Sequence, residues 1–597
     1  MPAPPRYLPI ADYAIIGNLH TTALVSLRGS IDYLCLPRFD SPSVFAAILD
    51  ADKGGCFSFT CEEESTNYKQ LYLPATNILL TRYLSQDGIA EVTDFMPIAG
   101  NKQDFAIFRR LKCVHGHHRI RIDVKPAFDY ARSGCRVERM DNATGYRFHD
   151  PAGKCQAMLL LSPVELEITE NGLTGYLDLD TGDDLDFILT LDTGTYYEAD
   201  FLRYFNETRK YWVDWSAKCT YDGPWQESVL RSALALKLLT SAEFGSTIAA
   251  GTFSLPEVIG GKRNWDYRFS WIRDSAFTMY AFLRLGYKAE AEAYIGWIKQ
   301  QCMDNLQLMY GVDGATNLEE IELNHLEGYK GSKPVRIGNG AYDQKQLDIY
   351  GELIDTIYLY NQSGGSITHA FWKEICTLVA YVIDHWKEKD HGIWEVRSGK
   401  ERFLHSAVCC WVALDRAMKI GEDRSLPYPQ VEWRKVRDEI YGDIYENFWN
   451  EEVQAYTQFK GSDTVDASAL LMPLLRFVSS KEPRWLKTFA AIEDKLTADV
   501  LVFRYKTEHG ATDGLEGKEA SFTICSFWYA ECLARIGRID DATVVMQKLL
   551  GYGNHVGLFS EEIGLHGEQL GNFPQAFSHL SLISAAFQIE KKLSKGT

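Results

Sequence analysis

The period of the apolar residues changes once along this chain, and that change limits the fold more than any single motif. Up to about residue 200 the apolar positions alternate. In HRIRIDV, Ile120, Ile122 and Val124 interleave with Arg119, Arg121 and Asp123, the two-residue period of a strand with one buried face. Asp87-Gly88 and Asn171-Gly172 separate pairs of such runs, and glycine supplies the positive φ that a tight hairpin needs. From about residue 224 the period becomes 3.6. One stripe runs Leu404, Val408, Trp411, Leu414, Met418 and should stop at Gly421. Another runs Ile272, Ala276, Tyr280, Leu283 to Gly286, and a third Leu347, Tyr350, Ile354, Ile357. Pro574 opens the last, followed by Phe577, Leu580, Ile583 and Phe587. Similar segments add up to about a dozen helices, with no strand-helix alternation. The expectation is two domains: an antiparallel β-sandwich over 1–200, a linker with helical character over 201–224, and an all-α closed toroid over 225–597.

Composition removes several function classes. A net charge of −19 without a local basic patch opposes binding to nucleic acid. The chain has no run of 18 apolar residues, so no membrane span is expected. The opening MPAPPRYLPIADYAIIGNLH lacks the basic and apolar regions of a secretory leader, and the 13 cysteines are odd in number and irregularly spaced. Reduced thiols in a cytoplasmic protein are expected. Aromatic residues reach 13%, a surplus that suits either a large core or the stacking of sugar rings.

Polar clusters at helix starts are where a toroid would place a site, and four stand out. In RNWDYRFSWIRDSAF, Arg273 beside Asp274 can donate to and accept from vicinal hydroxyls, with Tyr267 and Trp271 as walls; a capped helix with a local ion pair is the plain alternative. HLEGYKGSKPVRIGNGAYDQKQ surrounds Arg336 with glycines, as a specifically bent loop or a long connection would. Its acids Glu320, Glu322 and Glu327 read as solvated. In HGIWEVRSG, shelter beside Trp394 would keep a proton on Glu395, as a proton donor needs; an exposed loop charge is the other reading. In GLFSEEIGLHGEQLGNFPQAFSHL, either Glu561 or Glu562 could act on water, or both could be surface charges. His115, His117 and His118 in HGHH fall at an expected hairpin turn without an acid at ligand spacing. No metal site and no cofactor are expected.

Together and in this order, NWDYRFSWIRDS, HLEGYKGSKPVRIGN, GIWEVRSG, ICSFWYAECLARIG and LFSEEI…GNFPQAFSHLSLI resemble glycoside hydrolase family 15, which holds glucoamylases, glucodextranases and a group of trehalases. The stretch ADYAIIGNLHTTALVSLRGSIDYLCLPRFDSPSVFAAILD is similar to the N-terminal domain of its prokaryotic, trehalase-like branch. The resemblance implies a β-sandwich followed by an (α/α)6 barrel, and inverting, exo-acting hydrolysis that releases β-glucose from the non-reducing end of an α-glucoside. It implies Glu395 as general acid and Glu561, rather than Glu562, as general base. It implies Arg273 and Asp274 on the terminal glucose, with Tyr267, Trp271 and Trp394 as aromatics of the subsite. Arg336, Glu516 and Glu519 then belong to loops facing the pocket. The expected partner is a small carbohydrate (trehalose or a malto- or isomalto-oligosaccharide), since neither a leader nor a C-terminal starch-binding module is evident. A homo-oligomer is compatible with this reading. The alternative is a non-hydrolytic homologue that binds sugar, regulates, or applies acid-promoted chemistry to another substrate.

Overall fold

The computed structural model describes residues 6–596 apart from 64, 99–104, 141–144, 194–199, 302–305, 507–512 and 515–518. The N-terminal part is rich in strands, and every ladder among them is antiparallel. Its organiser is one 20-residue strand, Ala106–Lys125. The first half of that strand pairs with Gly88–Phe95 and Asp184–Leu191, the second half with Cys56–Cys61 and Gly172–Asp180. Ile120, Ile122 and Val124 are fully buried, as their alternation requires.

HGHH therefore lies inside a continuous strand, not at a hairpin turn. Gly116 takes φ 77° opposite Gly88, and the register slips beside it between Ile89 and Ala90. A β carbon there would come within 1.9 Å of the Asp87 carbonyl oxygen. The glycine thus marks a bulge where the strand passes from one set of partners to the other. The turns at Asp87-Gly88 and Asn171-Gly172 do join strands, Leu79–Leu84 to Gly88–Phe95 and Glu167–Thr169 to Gly172–Asp180.

The expected linker is largely one helix, α1 (Phe201–Ser216), whose start is capped by Asp200 accepting from the Arg203 amide at 3.0 Å. Phe201 packs edge-on against Phe95 of the strand-rich part. One end further along, Trp215 stacks flat on Tyr287 at 4.0 Å. The segment joins the two parts by packing, rather than spacing them.

Helices then dominate: α2 (Gln226–Leu238), α3 (Ile272–Leu285), α4 (Lys288–Ile298), α5 (Asp348–Gln362), α6 (His369–His385), α7 (Leu404–Arg424), α8 (Gln430–Asn447), α9 (Pro483–Leu496), α10 (Thr523–Ile536), α11 (Ile539–Leu550) and α12 (Ala576–Gly596). α3 packs on α5, α5 on α7, α7 on the short helical piece Leu471–Leu474, that piece on α10, α10 on α12, and α12 back on α3. Gly286 ends α3 in the left-handed conformation, as its position after the stripe predicts. Gly421 does not end α7. It lies inside the helix, where a β carbon would meet the Tyr428 ring at 2.7 Å, and Ser425 at φ 53° is the terminator. Its small size serves packing, not chain reversal. Pro574 likewise stands two residues ahead of α12 rather than in its first turn.

One side chain links the halves at the place that matters most. Arg268, 1% exposed, binds Asp266 twice, at 2.9 and 2.6 Å. It also donates to the Ser41 carbonyl (2.7 Å), the Tyr130 hydroxyl (3.2 Å) and Cys35 Sγ (3.3 Å) of the strand-rich part. The loop that leads into α3 is thereby held from behind by the N-terminal residues.

Candidate active site

The starts of α3 and α12 and the loops before α5, α7 and α10 converge on a cavity. Arg273 and Asp274 fall in the first turn of α3 and line it. Arg273 donates to the Ile393 carbonyl at 2.7 Å and to Glu395 Oε1 at 3.1 Å. Burial pushes Asp274 up to about 7, against the pull of Arg273. Its Oδ2 is buried, accepts no hydrogen bond among the described residues and lies 3.6 Å from Arg273 Nε.

Glu395 lies in the turn between Gly392 and α7. Its φ is 57°, an uncommon value for a residue with a long side chain, and its amide donates back to the Gly392 carbonyl at 3.1 Å. Gly392 and Phe403 set this turn: a β carbon on the glycine would reach the Phe403 ring at 2.7 Å. A solvated loop charge does not describe Glu395, whose carboxylate is 20% exposed and accepts from two donors. The sheltering indole, however, is not the adjacent one. Trp271 donates its N–H to Glu395 Oε1 at 2.8 Å, whereas Trp394 turns its N–H to Asp466 and its ring towards Phe522. Trp394 still lines the cavity.

Glu561 is fully buried, as is Glu562, so neither is a surface charge. Tyr267 donates to Glu561 Oε1 at 2.8 Å and the Asn572 amide donates to Oε2 at 3.1 Å. Burial pushes the Glu561 carboxyl up, and Arg504 and the Tyr267 hydroxyl hold it back. Tyr267 packs edge-on to Trp271 at 5.4 Å. The two carboxylates are thus linked through one aromatic pair, each bonded to one ring. Glu562, its side chain on the other side of the strand Glu562–Ile563, accepts from the Ala520 amide and faces Arg504.

Gly571 makes room for this arrangement. It has φ 71°, and a β carbon on it would lie 2.4 Å from Glu561 Oε2. Gly571→Ala is expected to displace the carboxylate and lower kcat by about 10²-fold with little change in secondary structure; steady-state kinetics with circular dichroism checks this.

Arg336 and Glu519 stand behind the wall. Arg336 stacks on Trp265 at 4.8 Å, donates to the Lys262 carbonyl and pairs with Glu320; it does not line the cavity. Glu320 is consequently engaged, by Arg336 and by Arg397 at 3.1 Å, and is not a solvated acid. Glu519, 4% exposed, pairs with Arg504 at 2.8 Å and with Arg263. Glu516 lies outside the described residues.

Sequence reasoning missed five further charges of the lining. Glu257, Arg263, Arg397, Arg504 and Asp513 all line the cavity. Arg504 pairs with Glu257, Glu519 and Glu562, and Arg263 binds Asp513 at 2.7 Å. The available signal was position: Arg263 directly precedes the NWDYR segment, and Arg504 precedes the loop that carries Asp513.

Comparison with known proteins places this architecture. A family model described as Glycosyl hydrolases family 15 matches residues 223–549, and one described as Trehalase-like, N-terminal matches residues 5–210. The Trehalase of Mycobacterium tuberculosis (strain ATCC 25618 / H37Rv) is 38% identical over 97% of this chain and 89% of its own length. The Trehalase of Thermoplasma acidophilum is 36% identical over 96% of this chain and 99% of its own. A bacterial glucoamylase complexed with acarbose superposes with a TM-score of 0.74, covering 98% of this chain and 95% of that one. Its 13% identity makes that a likeness of fold.

Proposed function

The chain belongs to glycosyl hydrolases family 15, and from that premise we propose that it is a trehalase-type α-glucosidase acting with inversion, with Glu395 as general acid and Glu561 as general base. The observation that carries this reading is the linkage of the two carboxylates through Trp271 and Tyr267: Glu395 lines the cavity with both rings, Arg273 and Asp274, and Glu561 is buried directly behind Tyr267. The ring of packed helices supports an (α/α)6 barrel over 225–597, preceded by a β-sandwich over 1–200. Trehalose is favoured over glucans because the relatives named Trehalase share more than a third of the sequence over nearly the whole chain.

In this mechanism Arg273 and Asp274 grip hydroxyls of the glucose being cleaved. Glu395 gives its proton to the glycosidic oxygen as the bond from the anomeric carbon breaks. Glu561 takes a proton from a water that attacks the same carbon from the opposite face. The water needs room, so the carboxyl groups should stand about 6.5–9.5 Å apart. Trp265 and Arg397, which also line the cavity, are the candidates for contact with the second ring.

Attack with inversion turns one ring of trehalose into β-glucose and frees the other as α-glucose. Proton NMR in the first moments of hydrolysis should show the two anomers in equal amounts. Initial release of α-glucose alone overturns inversion, and faster turnover of maltose, isomaltose or glycogen overturns the substrate.

A further inference from the structure

A second cluster lies in the core between α5 and α7. Asp348 and Glu352 are one turn apart in α5, and His405 and Cys409 one turn apart in α7, so each pair shares a helix face. The helices pack together, and all four side chains are at most 4% exposed. The donor atoms of Glu352, His405 and Cys409 lie within 4.8 Å of one another. His405 Nε2 is 3.2 Å from Glu352 Oε1, 3.5 Å from Cys409 Sγ and 4.0 Å from Asp348 Oδ2.

These lengths can be set against a coordination sphere. Zinc bonds of about 2.0–2.1 Å to nitrogen and oxygen and about 2.3 Å to sulfur give tetrahedral edges of about 3.3 Å (N to O) and about 3.6 Å (N to S). The two shortest edges match; Asp348 stands farther off, its Oδ2 4.0 Å from His405 Nε2 and outside the trio whose donor atoms all lie within 4.8 Å of one another, so it has to swing in to close the sphere. A purely hydrogen-bonded core cluster fits less well. Both oxygens of Asp348 and Oε2 of Glu352 have no hydrogen-bond partner among the described residues, although they are buried, which is costly for a cluster with no ion to satisfy it.

Access is separate from the substrate cavity. Glu352 lines a second cavity, walled by turns of α3, α5, α10 and α12, which shares no lining residue with the first.

The geometry points to a site for one divalent transition-metal ion of the zinc class, held by Asp348, Glu352, His405 and Cys409. Sulfur and imidazole donors select such an ion over magnesium or calcium. The thiol proton of Cys409 leaves to solvent as the sulfur–metal bond forms. Four protein donors leave no position for a reacting water, so the ion is structural: it clamps α5 to α7.

The test uses the full-length chain without a histidine tag, stripped with a chelator and reloaded with Zn²⁺ or Co²⁺ alone. One zinc per chain should survive gel filtration, as counted by mass spectrometry of the metal. Co²⁺ should give a thiolate charge-transfer band. Cys409→Ser and His405→Gln should lose the zinc and Cys409→Ser the band, while His118→Asn, at the other Cys-His-Glu grouping (Cys61, Glu63, His118), keeps both. Sub-stoichiometric zinc in the wild type, zinc retained in both core variants, or zinc lost with His118→Asn overturns the site. Should the core variants fail to fold, the cobalt spectrum of the wild type decides: no thiolate band, no site. None of these readouts depends on glycosidase activity.

Discussion

Replacing Glu561 by Gln is expected to lower turnover of trehalose by about 10²–10⁴-fold, the range general acid–base catalysis contributes, with the fold intact. Glu395→Gln should lose a similar factor for a different reason, and α-glucosyl fluoride separates the two. Fluoride leaves without a proton, so the Glu395 variant should recover much of its rate on that substrate. The Glu561 variant should not, because its attacking water still has no base. Stability should hold in the Glu561 variant. Burial raises that carboxyl in the folded protein, so its ionised form is held at a cost that a neutral amide of the same shape avoids. The same burial moves the acid limb of kcat/KM well above the range of an ordinary glutamate: as pH falls through that limb, Glu561 takes up a proton and can no longer accept one. Near-wild-type turnover of trehalose in either variant would sink the assignment.

Arg504→Leu is expected to destabilise the protein by about 3–5 kcal/mol near neutral pH, because removing one partner of a buried ion pair strands the other. Here it strands Glu562 and leaves Glu257 and Glu519 with Arg263 alone. Arg504 lies 3.3 Å from Glu257, 2.8 Å from Glu519 and 3.5 Å from Glu562, and all four are nearly or fully buried. Burial already pushes Glu257 and Glu562 up, and Arg504 is what restrains them. With the guanidinium gone, the folded state binds these protons more tightly than the unfolded state does. The deficit should therefore be largest at alkaline pH and shrink as pH falls and the acids become neutral. Urea unfolding across a pH series measures it. A loss below about 1 kcal/mol, the scale of an exposed pair, or one that does not vary with pH, contradicts this account.

Much of the fold was readable because period and glycine act locally. The stripe from Ile272 to Leu283 and the stop at Gly286 both belong to one helix and its own end. Gly421 misled because a glycine in sequence looks the same whether it ends a helix or admits a neighbouring ring, and the Tyr428 ring is what it admits. The bulge at Gly116 looked like a turn because a strand that changes partners leaves no local mark distinct from a reversal. At the site, Glu395 was legible from its unusual neighbours and from the resemblance, but its true shelter, Trp271, is 124 positions away. Arg263, Arg504 and Glu257 were invisible because charged residues are usually exposed, and only the meeting of distant loops buries them together. The same holds for the cluster on α5 and α7: each helix carries two donors, and neither pair alone has the look of a ligand set.

Arg268 gives the strand-rich part a role beyond shelter. Its guanidinium satisfies Asp266 on one side and Ser41, Cys35 and Tyr130 on the other, so the loop bearing Tyr267 and Trp271 takes its shape from both segments at once. Exchanging the N-terminal half of this chain for another would thus transplant a lock without its key unless the side chains at Cys35 and Tyr130 and the chain path at Ser41 come with the arginine.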